Sequence, residues 1–125
     1  MKTSNRFKFI SKSSIVALIC LISLHCKPEY EEIETVYEDQ NNQKITAVYH
    51  NPFDEKGIFS VTLKFIHGNS VTLNQGMAAS GVRYTDDKTL VWWTKSGEAF
   101  LMEPDGKGDW EITNRYKEMT NDQNQ

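Results

Sequence analysis

The segment from Ile58 to Phe65 constrains the fold most: apolar Phe59, Val61, Leu63 and Phe65 alternate with Ser60, Thr62 and Lys64. A period of two places each set on its own face of an extended chain, so the segment reads as a strand with one face buried. His67-Gly68-Asn69 follows as a turn. Beyond it, Val71 to Leu73, Gly81 to Thr85, Leu90 to Thr94, Ala99 to Glu103 and Trp110 to Thr113 are short runs rich in β-branched and aromatic residues. They are parted by Asp86-Asp87, Lys95-Ser96-Gly97 and Pro104-Asp105-Gly106-Lys107-Gly108, all turn formers. With Lys44 to Tyr49 and a short piece near Met77, the count reaches about eight strands. No run of helical period and useful length lies between Lys44 and Tyr116. The expected fold is all-β, a small antiparallel barrel or sandwich.

The chain ahead of this region reads as an address. Met1 to Lys12 is basic, and Ser14 to Leu24 is an apolar run shorter than the ~20 residues that span a bilayer comfortably. This is the pattern of a signal peptide. It ends Leu21-Ile22-Ser23-Leu24-His25-Cys26, which resembles the lipobox of bacterial lipoproteins, where the cysteine becomes the lipid-bearing first residue of the mature chain. His25 departs from that pattern, which normally has a small residue there. No A-x-A site for ordinary cleavage precedes Cys26, and once Cys20 leaves with the signal Cys26 has no disulfide partner. Cys26 is therefore expected to be lipidated, and the several acyl chains of such a modification suffice for stable anchoring. The expected organisation is a signal peptide over residues 1–25, lipidated Cys26 and a flexible acidic tether over 26–43, a barrel domain over 44–117, and a polar tail over 118–125.

Charge narrows the partners. The formal net charge of −3 includes Lys2, Arg6, Lys8 and Lys12 of the export segment; without those four of the 14 basic residues, ten remain against 17 acidic ones, net −7. Signs balance within Lys44 to Lys117, so the excess comes from Glu29, Glu31, Glu32, Glu34, Glu38 and Asp39 before it and Glu118 and Asp122 after it. A nucleic-acid partner needs clustered cations and is not expected. A cationic protein would suit the acidic stretch, which also fits a plain solvated charge run.

Enzymatic chemistry lacks its parts. His25, His50 and His67 are isolated and no cysteine remains in the domain, so no metal is expected. There is no Gly-rich phosphate loop, no G-x-S-x-G elbow and no nucleophile with a local base, so neither catalysis nor a cofactor is expected. Asp86 and Asp87, adjacent in a hairpin, read as turn formers rather than a catalytic pair.

The stretch from Asn74 to Leu101, NQGMAASGVRYTDDKTLVWWTKSGEAFL, resembles the membrane-bound and periplasmic inhibitors of C-type lysozyme (MliC/PliC). The motif S-G-x-x-Y is matched by Ser80, Gly81 and Tyr84. An aromatic-W-x-K turn followed by E-A is matched by Trp92, Trp93, Lys95, Glu98 and Ala99. The resemblance extends more loosely back through Ile58 to Phe65 and on toward Trp110. It implies an eight-stranded barrel and a protein partner, C-type lysozyme, met in the cell envelope, at the outer membrane, by a domain facing the periplasm or the surroundings. It also implies that Ser80 and Lys95 enter the lysozyme cleft, with Gly81, Tyr84 and Arg83 around them, Tyr84 as a support and Arg83 at the rim. Three departures stand out. Family members often tie the first strand to the last by a disulfide, and no cysteine lies near Tyr49-His50-Asn51 or after Trp110. The hairpin around Asp86 to Thr89 is longer than usual, which would shift Lys95 relative to Ser80, and Ser96 stands where Gly is common. The residues alone also fit a bulge at Ser80-Gly81, a solvated Lys95, and Tyr84, Trp92 and Trp93 as core. A barrel lipoprotein that binds another host or envelope partner is the alternative function.

Overall fold

The computed structural model describes residues 29–54 and 56–120. Eight strands follow in order: β1 Tyr30–Asp39, β2 Lys44–Pro52, β3 Ser60–Phe65, β4 Ser70–Gly76, β5 Val82–Thr85, β6 Val91–Lys95, β7 Glu98–Pro104 and β8 Trp110–Glu118. Each pairs antiparallel with the next, and β8 returns to β1, closing the barrel. The alternation in β3 does what its period requires, since Val61 and Leu63 are fully buried while Ser60, Thr62 and Lys64 face outward.

The interior is aromatic and full. Trp92, with 0% of its surface exposed, meets Tyr37 edge-on at 5.2 Å and Tyr116 at 5.6 Å between ring centres. Its Nε1 donates to the Tyr49 hydroxyl (3.1 Å), which also bonds the Tyr37 hydroxyl (2.8 Å). Ala47 and Ala99, both fully buried in the same cluster, are the small residues that leave space for these rings. The barrel is thus filled by its own side chains.

Two expectations need correction. Residues 30–39, assigned to a flexible tether, form β1, and this strand pairs with β2 along its length and with β8 through Tyr37↔Glu118, Glu38↔Lys117 and Asp39↔Tyr116. Tyr37 and Asp39 are buried, so the glutamates of this stretch decorate a strand rather than an irregular linker. The domain therefore begins before Lys44, and β8 carries it to Glu118. The piece near Met77 is not a strand: β4 ends at Gly76, and Met77 lies in the connection to β5, 94% exposed. Cys26 and the signal segment lie outside the described residues.

Closure also uses more than packing. The Asn114 amide Nδ2 donates to Asp39 Oδ2 (3.2 Å) and to the Tyr116 hydroxyl (2.9 Å), and the Met119 amide extends the β1–β8 ladder to the Val36 carbonyl (2.9 Å). These polar contacts hold the β1–β8 seam.

Because consecutive strands run antiparallel, their connections alternate between the two ends of the barrel. One end carries the β1–β2, β3–β4, β5–β6 and β7–β8 turns and is called here the turn end. The other carries the β2–β3, β4–β5 and β6–β7 connections, with the start of β1 and the finish of β8, and is called the loop end.

Candidate functional site

Lys95 and Ser80 both lie at the loop end. Lys95 is the last residue of β6, and the two-residue turn Ser96-Gly97 returns the chain to Glu98 in β7. Both central residues have positive φ, 54° and 79°, the geometry whose twist matches flanking strands in a tight hairpin. The Glu118 amide donates to the Gly97 carbonyl (2.9 Å), so β8 ties this turn down. The exposed Lys95 side chain stands on a fixed base.

Ser80 is exposed in the β4–β5 connection and is held through its backbone. Its carbonyl accepts a hydrogen bond from Trp93 Nε1 (2.9 Å). Gly81, at φ 68°, then presses its Cα against β6: an added Cβ would lie 2.3 Å from the Thr94 carbonyl oxygen, 2.8 Å from Trp93 Nε1 and 3.3 Å from Lys95 Cβ. Only glycine combines that φ with that approach. The S-G pair and the W-x-K turn, read separately in the sequence, are thus one structure in which the missing Cβ brings the Ser80 loop against the base of Lys95.

The structure separates the other candidates. Tyr84 is 5% exposed and packs inside the barrel at 5.6 Å from the Tyr49 ring, where burial pushes its phenol up to about 12. It is a core residue and offers no surface to a partner. Arg83 turns toward the other end of β6: its guanidinium lies 3.9 Å from Asp87 Oδ1 in the β5–β6 turn and 5.9 Å from the centre of the Trp110 ring. The same guanidinium covers Gly76, the last residue of β4 before the Ser80 loop, its Nη1 3.1 Å from where a Cβ on that glycine would sit. Trp92 is core, whereas Trp93 points outward, half-buried against Phe100 at 5.3 Å. Trp93 is the positioning residue that sequence reading grouped with the core. Its signal was the W-W pair itself, because adjacent residues in a strand face opposite ways.

The longer β5–β6 turn does not displace Lys95. Pairing between β5 and β6 runs unbroken from Val82↔Thr94 to Thr85↔Val91, and the extra length is absorbed at the turn end. There Asp86 accepts hydrogen bonds from the amides of Lys88 (2.9 Å), Thr89 (2.7 Å) and Leu90 (3.1 Å) and from the Thr89 hydroxyl. The Thr89 hydroxyl and those amides hold the Asp86 carboxyl well below its ordinary range. A carboxylate so occupied is a turn anchor. Among the described residues no group of three or more His, Cys, Asp or Glu side chains converges to hold a metal ion.

A family model described as "Membrane-bound lysozyme-inhibitor of c-type lysozyme" (MliC) matches residues 37–110, more than half of the chain. The chain belongs to the MliC family. It is thereby a member of a family of envelope-associated inhibitors rather than of enzymes. The match runs from the buried end of β1 to the first residue of β8 and so contains both the Ser80 loop and the Lys95 turn. Among solved structures, the barrel is similar to Pseudomonas aeruginosa MliC, crystallised in complex with hen egg white lysozyme. The TM-score is 0.55 and the identity 21%, over 78% of this chain and 92% of that one. At this identity the likeness is one of fold. No curated protein matches the sequence.

Proposed function

We propose that this protein inhibits C-type lysozyme by inserting Ser80 and Lys95 into the catalytic cleft. The observation that supports the reading is the contact at Gly81, which brings the backbone of the exposed Ser80 loop against the base of the exposed Lys95 at one end of the barrel. Lysozyme works with two carboxyl groups, a protonated acid and an ionised partner, in a cleft shaped for polysaccharide. A plug for that cleft needs donors and a positive charge. The Lys95 ammonium meets the ionised carboxylate and the Ser80 hydroxyl bonds the acid, in charge-assisted contacts that strengthen as water leaves. Substrate is excluded at the same time. Lipidation at Cys26 would hold the inhibitor in the cell envelope, at the outer membrane, where it shields the wall.

The test is inhibition of a C-type lysozyme by the full chain, with a G-type lysozyme as control. Lys95→Ala is expected to cost ~2–5 kcal/mol of binding, one to several powers of ten, because it leaves a buried carboxylate unpaired. Ser80→Ala is expected to cost ~1–2 kcal/mol for one hydrogen bond lost in a dry site. Folded variants that inhibit as well as wild type would refute the mechanism. Wild type that fails to bind lysozyme at all would leave the fold serving another host or envelope partner.

A further inference from the structure

Large apolar side chains that remain exposed are not spread evenly over this barrel. Tyr30, Ile33, Phe53, Ile58, Met77 and Met119 belong to the loop end, and of the exposed large apolar residues among those described only Ile66 lies at the turn end. The most open of them flank the Ser80 loop. Met77 begins that loop at 94% exposure, and Ile58 (70%) and Phe53 (73%) lie in the neighbouring β2–β3 connection. The β2–β3 connection is tied to the end of β4, just before the Ser80 loop, by the Gln75 amide, which donates to the Phe59 carbonyl at 2.8 Å. Apolar collar and donor pair therefore share one rim.

We infer that this collar, centred on Met77 and Ile58, is the second half of the lysozyme-binding surface. The inference rests on the inhibitory reading above and names the residues that supply most of its contact area. A specific interface takes ~800 Å² from each partner, a disc ~32 Å across. Two side chains such as Ser80 and Lys95 cover a small part of it. Their neighbours must supply the rest, and on this end six large apolar side chains stand exposed among them. Such a ring has a second effect, since apolar contacts that exclude water raise the value of a central charge pair. The partner's side matches, because a cleft that seats sugar rings carries apolar walls beside its carboxylates.

A membrane is the competing occupant for an apolar patch on an anchored protein. The charges argue against it. Glu29, Glu31, Glu32 and Glu34 stand along and just before β1, and Asp54 follows Phe53, so among the described residues five carboxylates against the single cation Lys56 border this side of the collar, a balance that an anionic lipid surface repels and a cationic protein attracts.

The experiment measures lysozyme binding by the full chain and by the double variant Ile58→Ser/Met77→Ser. Both side chains are open to solvent, and equal melting temperatures verify that the fold is intact. Ile66→Ser at the turn end and Lys95→Ala serve as references, and vesicles of phosphatidylethanolamine and phosphatidylglycerol, offered to the unlipidated Cys26→Ser chain with and without the double substitution, test the membrane. The double variant is expected to bind lysozyme ten- to a hundredfold more weakly, mainly through faster dissociation, with Ile66→Ser unchanged and vesicle binding unaffected. If the double variant binds within twofold of wild type while Lys95→Ala is impaired, the collar is overturned and the plug stands. If the double variant loses vesicle binding instead, the patch is a membrane contact and the inference is wrong. If wild type binds no lysozyme, both readings fall together.

Discussion

The two ends of this barrel hold most of their connections in different ways: three of the four connections at the turn end are capped by an aspartate, against one of the three at the loop end, where Asp54 accepts from the Gly57 amide (3.1 Å). At the turn end, side chains satisfy the backbone beside them. Asp39 accepts from the amides of Asn41 and Gln43, Asp86 from three amides and a hydroxyl, and Asp105 from the amides of Lys107 and Asp109. Little is left over for a partner. The Ser80 and Lys95 loops of the other end are held by other means, through Trp93 beneath Ser80 and Glu118 beneath Gly97. The side chains of Ser80 and Lys95 are thereby released to solvent, among exposed apolar residues that a purely structural rim would not retain. An end that consumes its own hydrogen-bonding groups is built to terminate strands, and an end that leaves them free is built to meet something.

The contrast breaks most easily at Gly81. Gly81→Ala puts a methyl group 2.3 Å from the Thr94 carbonyl at a φ that L-residues avoid, so the loop must lift. The expected cost is ~2–4 kcal/mol in stability. Inhibition should fall further than the melting temperature alone accounts for, because Ser80 moves away from Lys95. Thermal unfolding and inhibition measured on the same sample test this. Equal stability with full inhibition would remove Gly81 from the account.

How much of this contrast the sequence displays depends on the element. β3 is plain because its alternation is nearly unbroken. β1 also alternates, with Ile33, Thr35 and Tyr37 on one face and Glu32, Glu34 and Glu38 on the other, but its density of charge imitates a solvated linker. What decides the matter is partnership: β2 and β8 flank this strand, and no local pattern contains them. The expected eight strands and the observed eight thus agree in number while differing in two members, β1 and the piece near Met77. At the site, Ser80, Gly81 and Lys95 are legible through their motifs. Their contact is not, since it depends on the approach of Gly81 to a carbonyl 13 residues later. Arg83 and Tyr84 sit inside the same motif yet serve the barrel, because alternation along β5 sends one inward and packing draws the other toward the turn end.

A smaller effect is expected at Ser96. A non-glycine residue at φ 54° costs ~1 kcal/mol, so Ser96→Gly should raise stability by about that amount. Denaturant unfolding measures it, and a loss of stability would mean that the Ser96 side chain makes a contact worth more than the strain.

The smallest effect belongs to the turn end. Asp86 has its carboxyl pKa lowered in the folded protein, chiefly by the Thr89 hydroxyl and amide, so its contribution is present above the ordinary value of 3.8 and is lost as the pH falls below it. Asp86→Ala should flatten this acid limb of the stability profile and leave lysozyme binding at neutral pH unchanged. A change in binding would show that the turn end is not inert.

The division of labour between the ends is tested most directly by amide NMR of the full chain titrated with hen egg white lysozyme. Chemical-shift changes are expected over residues 76–82 and 94–98 and around Ile58, while the turns at residues 40–43, 66–69, 86–90 and 105–109 keep their positions. Shifts centred on those turns, or none at the Ser80 and Lys95 loops, would contradict it.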